Sequence, residues 1–309
     1  MKHIADNLYE KKWGVFIHFL DRHQNNPQHI SSNGECTSWN QCVDNFDVDK
    51  LAKNLHKINA GYVFITLMQG SKYMIAPNET YDRICGTNPG EACSTRDLVE
   101  DLYQALSGYG IDLYLYYTGD GPYKDEILGK AMGYTEPREL GVTETFVNNW
   151  VSVLEEYALR YKDKIKGWWI DGCYRDYFKY TDDLLTPYCN TIKKGNPNAI
   201  VTFNNGIENG FYTTHPLEEF TSGEQVTFDN IPNGRFTNNA QNHLLIPIGY
   251  HEDPAARWCS KGLMIDKEAL ANYSKSVIDA GGVLTFDVYF DRNSDFDPVQ
   301  VDALKNLNI

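Results

Sequence analysis

Nearly continuous apolar runs alternate with helix-period segments along this chain. Residues 11–19, Lys-Lys-Trp-Gly-Val-Phe-Ile-His-Phe, have the pattern of a strand buried on both faces, with His18 near its end. A polar stretch rich in Asn, Gln, Ser and Gly over about 21–45 reads as a long loop. Val48, Leu51, Ala52, Leu55 and Ile58 then recur at helical spacing, Gly61 stops that helix, and 62–68 is the second strand. After a loop over about 69–93, Ser94-Thr95-Arg96-Asp97 resembles a capping box, opening a helix with Leu98, Leu102, Ala105 and Leu106 on one face. The third strand is 112–117. Phe146, Trp150, Val153, Leu154, Tyr157, Ala158 and Tyr161 mark the clearest amphipathic helix, which runs into a fourth strand at 166–171.

The second half repeats the alternation. A helix over 181–194 ends at Gly195 and Pro197, and 199–204 is a fifth strand. A weak sixth strand is expected at 217–221, and a seventh at 244–249 despite Pro247 within it. Leu270, Tyr273, Val277 and Ile278 mark a helix closed by Gly281-Gly282, 283–287 is the eighth strand, and a last helix covers 298–307. Eight strands alternating with helices predict an α/β fold, a (β/α)8 TIM-type barrel formed as a single domain over 1–309. A doubly wound open sheet is the competing architecture, but no G-x-G-x-x-G turn follows the first strand.

Composition narrows the function. With 42 acidic against 28 basic residues the net charge is -14, which disfavours nucleic acid and acidic membrane surfaces as partners. No apolar run is long enough to insert in a bilayer. The 21 Tyr and 6 Trp supply flat faces suited to stacking on sugars, although many such rings belong in a core. Seven cysteines lack C-x-x-C spacing, so neither a metal nor another cofactor is expected. Cys36 with Cys42 and Cys85 with Cys93 are spaced for local disulfides in an oxidising compartment, and the chain is expected to act as a secreted or periplasmic protein whose export signal has been removed.

In a barrel of this type the chemistry lies at the C-terminal ends of the strands. Those positions hold His18, Gln69, Tyr117, Asp171, Asn204, Glu224, Tyr250 with His251, and Asp287. Asp171 closes the apolar run Trp168-Trp169-Ile170, where a buried carboxylate is costly unless it has work to do. Gly172 lets the backbone turn away. Glu224 lies in Phe220-Thr221-Ser222-Gly223-Glu224 beyond the weak sixth strand. Two carboxylates across a cleft suit glycoside hydrolysis, with Asp171 as nucleophile and Glu224 as acid/base; Glu208, Glu218 and Glu219 are rivals for the second role. The two tryptophans alternate in direction, so one of them, Trp169, is a candidate to meet substrate together with His18, Gln69, Tyr117, Asn204, Tyr250 and His251.

Lys12-Trp13-Gly14-Val15-Phe16-Ile17-His18, Gly61-Tyr62-Val63-Phe64-Ile65-Thr66, Arg96-Asp97-Leu98-Val99, Trp168-Trp169-Ile170-Asp171-Gly172 and Gly281-Gly282-Val283-Leu284 resemble, in order, blocks of the retaining α-L-fucosidase family of glycoside hydrolases. The resemblance implies a barrel with Asp171 as nucleophile, Glu224 in the region of the acid/base, His18 touching the sugar beside the scissile bond, and exo action on a carbohydrate. It also implies divergence. The family's Lys-His-His-Asp-Gly run is replaced by Met68-Gln69-Gly70-Ser71-Lys72, its Trp-Glu pair before the seventh strand is absent, and no C-terminal β-sandwich is expected after the barrel. The alternatives are a barrel that binds glycans without cleaving them and, more distantly, a lyase or isomerase using a Tyr or His base near Asp171.

Overall fold

The computed structural model describes residues 2–135, 140–307 and 309. Seven parallel strands form one sheet: β1 (Trp13–Ile17), β2 (Tyr62–Met68), β3 (Asp112–Thr118), β4 (Ile165–Asp171), β5 (Ile200–Phe203), β6 (His243–Pro247) and β7 (Val283–Asp287). Their order is β5-β4-β3-β2-β1-β7-β6, so the first strand lies inside the sheet between β2 and β7, and the last two join its other side. Pro247 is the final residue of β6 and pairs with Asp287, a place where a missing N–H is tolerated.

The expected sixth strand is not a regular element, and the sheet is a curled, open barrel rather than a closed eight-stranded one. The segment after β5 nevertheless lies in the gap. Glu219 N–H donates to Val201 O of β5 at 3.1 Å, while Gln225 N–H donates to Leu245 O of β6 at 2.9 Å. Isolated bridges join Phe220 to Gln241 and Glu224 to Leu245. Leu-Glu-Glu-Phe-Thr-Ser-Gly lacks a run of β-formers, and its bonds go first to one edge and then to the other. A short antiparallel pair, Phe236–Thr237 with Ala240–Gln241, precedes β6.

Alternation along the strands sorts the rings. Phe16, Tyr62, Phe64, Tyr114, Tyr116 and Trp169 point inward with Phe220 and Leu245, whereas Val15, Ile65, Leu115, Tyr117 and Trp168 pack in the outer layer beneath the helices. Each inward ring covers ~150–250 Å², worth roughly 4 to 6 kcal/mol at ~25 cal/mol per Å² before entropy is subtracted. Gly14 makes room for this interior, because a Cβ there would lie 2.5 Å from the Tyr62 ring. Among the helices, Glu144–Tyr161 packs beside Asp182–Gly195, with Trp150 of the first against Tyr117 of β3 and Tyr188 of the second against Phe203 of β5. The helix Leu98–Ser107 is capped by Asp97, which accepts from Glu100 N–H, and not by the expected Ser94, whose hydroxyl donates to Arg96 O. All seven cysteines are free thiols, so neither expected local disulfide is formed. Cys42 is buried in the helix Trp39–Asp44, where burial pushes its thiol up to about 12.

Candidate active site

A cavity of about 430 Å³ opens at the C-terminal ends of the strands, lined in part by Phe16, His18, Tyr116, Trp169, Asp171 and Glu224. The inward phase of each strand delivers these groups: Phe16 continues to His18, Tyr116 lies beside Trp169, and Trp169 continues to Asp171. Tyr116 and Trp169 stack with centroids 5.5 Å apart, forming an aromatic wall below the carboxylate. Trp169 is fixed in turn by donating its ring N–H to Ser222 O at 3.1 Å.

Asp171 has one donor on each oxygen. Tyr116 O–H donates to Oδ2 at 2.5 Å, and Asn204 Nδ2 donates to Oδ1 at 2.8 Å. The same nitrogen of Asn204 donates to Glu224 Oε2 at 2.5 Å. The nearest oxygens of the two acids are therefore no further apart than these two bonds laid end to end. Glu224 reaches this position through Gly223, whose φ is +60°, and a Cβ at residue 223 would lie 1.9 Å from His243 O. Burial, the neighbouring Asp171 charge and, in opposition, the Asn204 hydrogen bond leave Glu224 raised to about 8. Glu224 therefore keeps its proton at neutral pH.

The three rivals of Glu224 are spent elsewhere. Glu218 is buried and accepts from Thr202 Oγ1, Phe203 N–H and His215 N–H at 2.7–2.8 Å; burial raises it to about 7, but it does not line the cavity. Glu219 pairs with Lys193 at 2.5 Å, and Glu208 accepts from Asn205 at 2.6 Å.

The segment after β1, expected as a loop but carrying the short helix Asp21–Gln24, supplies much of the remaining wall. Arg22, His23 and His29 line the cavity, with the two histidine rings stacked at 4.3 Å. His23 is lowered to about 2, by burial first and then by His18, His29, Arg22 and Lys124, so it is neutral. Arg292 anchors this loop, donating to Gln24 O at 2.9 Å and to Asn25 Oδ1 at 2.8 Å from a fully buried position. Trp258, edge-on to the His18 ring at 6.0 Å, and His251 also line the cavity. A second cavity of about 250 Å³, lined by Arg22, Gln69, Asp120, Lys124 and Tyr174, meets the first at Asp171.

His18, Gln69, Trp169, Asp171, Glu224 and His251 thus share one cavity wall, with Asn204 between the two acids. Tyr117 and Tyr250 do not join them. Tyr117 points outward, stacks on Trp150 at 4.6 Å and donates to Trp150 O, because its neighbour Tyr116 holds the inward phase. Tyr250 is 56% exposed on the loop after β6. Arg22, His23, His29 and Trp258 carry no signal in the sequence, since the helix Asp21–Gln24 is too short for a period and the other two lie outside any regular helix or strand. The choice of Tyr116 was available only through the β3–β4 register, in which it stands opposite Trp169.

The fold has known counterparts. No protein-family model and no curated protein matches the sequence. Among solved structures, the chain is similar to an endo-fucoidan hydrolase of glycoside hydrolase family 107 at 14% identity and TM-score 0.69, covering 97% of this chain and 92% of that one. A second family 107 endo-fucoidan hydrolase gives TM-score 0.74 at 14% identity over 98% of this chain, which spans 62% of that protein. An α-L-fucosidase of family 29 from Bacteroides thetaiotaomicron gives TM-score 0.64 at 16% identity, covering 99% of this chain and 73% of that one. These likenesses establish the fold.

Proposed function

We propose that this chain is a glycoside hydrolase that cleaves α-linked L-fucose units of a glycan by a retaining double displacement. The observation that carries the reading is the shared hydrogen bonding of Asp171 and Glu224 to one Asn204 nitrogen inside a sugar-sized cavity. Retaining enzymes hold their carboxyl groups ~5–5.5 Å apart, whereas inverting ones need ~6.5–9.5 Å to admit a water. Two bonds of 2.8 and 2.5 Å from a common nitrogen favour the shorter class. The fucose-acting proteins of the same fold direct the choice of sugar.

In the first step Asp171 attacks the anomeric carbon, while Glu224, protonated at neutral pH, gives its proton to the departing oxygen. In the second step the Glu224 carboxylate takes a proton from water, which displaces Asp171 from the sugar. Tyr116 and Asn204 hold the attacking carboxylate in place, and the Trp169 face and the His18 edge contact the sugar ring. The two cavities meeting at Asp171 provide room on both sides of the bond being cut. A secreted or periplasmic location is proposed with this reading, since a polymeric glycan is met outside the cytoplasm.

The test is hydrolysis of 4-nitrophenyl α-L-fucoside and of fucan oligosaccharides by the wild type beside Asp171→Asn and Glu224→Gln. Turnover lost in both variants supports the reading. Product length separates the expected exo action, which releases single fucose units, from an internal cut, which releases oligosaccharides. Tight glycan binding without any new reducing end would replace it with the binding-protein reading.

A further inference from the structure

Asp287 ends β7 in register with Phe16 of β1 and Pro247 of β6, and it is 1% exposed. Its two oxygens do different work. Oδ2 lies 2.6 Å from His18 Nδ1, and Oδ1 accepts from Cys259 N–H at 2.6 Å. The other nitrogen of His18, Nε2, has no hydrogen-bond partner among the described residues, and the ring lines the cavity that holds Asp171 and Glu224. Phe16 at 4.7 Å and Trp258 at 6.0 Å confine the ring, so it cannot turn to present its other nitrogen without leaving Asp287.

We propose that Asp287 is a positioning residue that fixes the donor and acceptor roles of His18, placing the proton on Nδ1 so that Nε2 accepts a hydrogen bond from a sugar hydroxyl. A carboxylate offers only acceptors, so Nδ1 must be the donor of that pair. The second oxygen ties the same carboxylate to the backbone beside Trp258, so one residue sets both the histidine and the indole packed edge-on to it. The inference rests on the proposed reading of His18 as a sugar contact.

Asp287→Asn reverses the polarity without changing the shape. An amide has one acceptor and one donor group. If its oxygen kept His18, its NH2 would face the Cys259 N–H, donor against donor. The satisfied arrangement gives the oxygen to Cys259 and the NH2 to His18 Nδ1, which must then be unprotonated. The proton moves to Nε2, and the cavity meets a donor where it had an acceptor.

The experiment is ¹⁵N NMR of histidine-labelled protein near neutral pH, with His18→Gln identifying the His18 signals. The groups facing the ring besides Asp287 are His23, 6.0 Å away, and Arg22, His29, Asp171 and Glu224 along the cavity. The expected result is an unprotonated Nε2 in the wild type and an unprotonated Nδ1 in Asp287→Asn, with KM for the fucoside raised ~10-fold or more by the lost hydroxyl contact while kcat falls less. A wild type protonated on Nε2, or on both nitrogens, would overturn the proposal even if the variant did not fold. So would a folded variant with an unchanged tautomer. Because the tautomer is read without turnover, an inactive wild type with the expected tautomer would fail the hydrolase reading alone.

Discussion

Replacing Asp171 by Asn should lower the pKa of Glu224 by about two units. The two acids share Asn204 Nδ2 through bonds of 2.8 and 2.5 Å, which bounds the separation of their nearest oxygens. A unit charge at ~5 Å in an effective dielectric of ~20 contributes ~3 kcal/mol, and ~1.4 kcal/mol corresponds to one pKa unit. Burial is the larger cause of the rise to about 8 and survives the substitution, so Glu224 should remain above its ordinary 4.5. The assay is a carboxyl ¹³C NMR titration of glutamate-labelled Asp171→Asn against the wild type, with Glu224→Gln marking the resonance. A midpoint displaced by well under one unit would mean that the acids are not neighbours in a common low-dielectric site.

The same raised pKa has consequences for rate and stability. In the wild type kcat/KM should fall as pH passes about 8, where Glu224 loses the proton it must donate, and a flat profile to pH 9 would exclude it as the acid. The folded-state pKa lies above the unfolded 4.5, so the folded state holds this proton more tightly. Its stabilisation is complete below pH 4.5 and is lost as pH rises to about 8. Glu224→Gln should therefore gain in Tm relative to the wild type on going from pH 5 to pH 8.5, and a constant difference would contradict this. Tyr116→Phe should cost ~10- to 100-fold in kcat by freeing one Asp171 oxygen, whereas Tyr117→Phe should leave kcat intact and cost ~1 kcal/mol of stability on urea denaturation; the reverse ranking would mean the inward phase has been assigned to the wrong ring. Gly223→Ala combines a positive φ with a 1.9 Å approach to His243 O, so it should cost at least ~1–3 kcal/mol and shift Glu224 enough to lower kcat, both absent if the turn can relax.

The strands were legible because burial on both faces leaves unbroken apolar runs, as in 62–68, and the site followed from where those runs end: His18, Asp171 and Asn204 all sit at strand termini. The sixth strand was not, since 217–225 makes its backbone bonds one at a time to opposite edges and carries no pattern of its own. The place of Glu224 in the order of elements put it near the strand ends, but that it and not Glu218 reaches the cavity is tertiary. Three protein donors occupy the Glu218 carboxylate, while the Glu224 one faces the cavity. Tyr116 and Tyr117 are indistinguishable without the register against Trp169. The pairing of His18 with Asp287, 269 residues apart, arises because the chain's first strand lies beside its last.

A covalent route through Asp171 fixes the stereochemistry of the first product. Time-resolved ¹H NMR of fucan oligosaccharide hydrolysis, recorded before the released reducing ends mutarotate, should show the α-anomer first, the outcome of two displacements. Initial release of the β-anomer would mean a single displacement by water and would contradict the account.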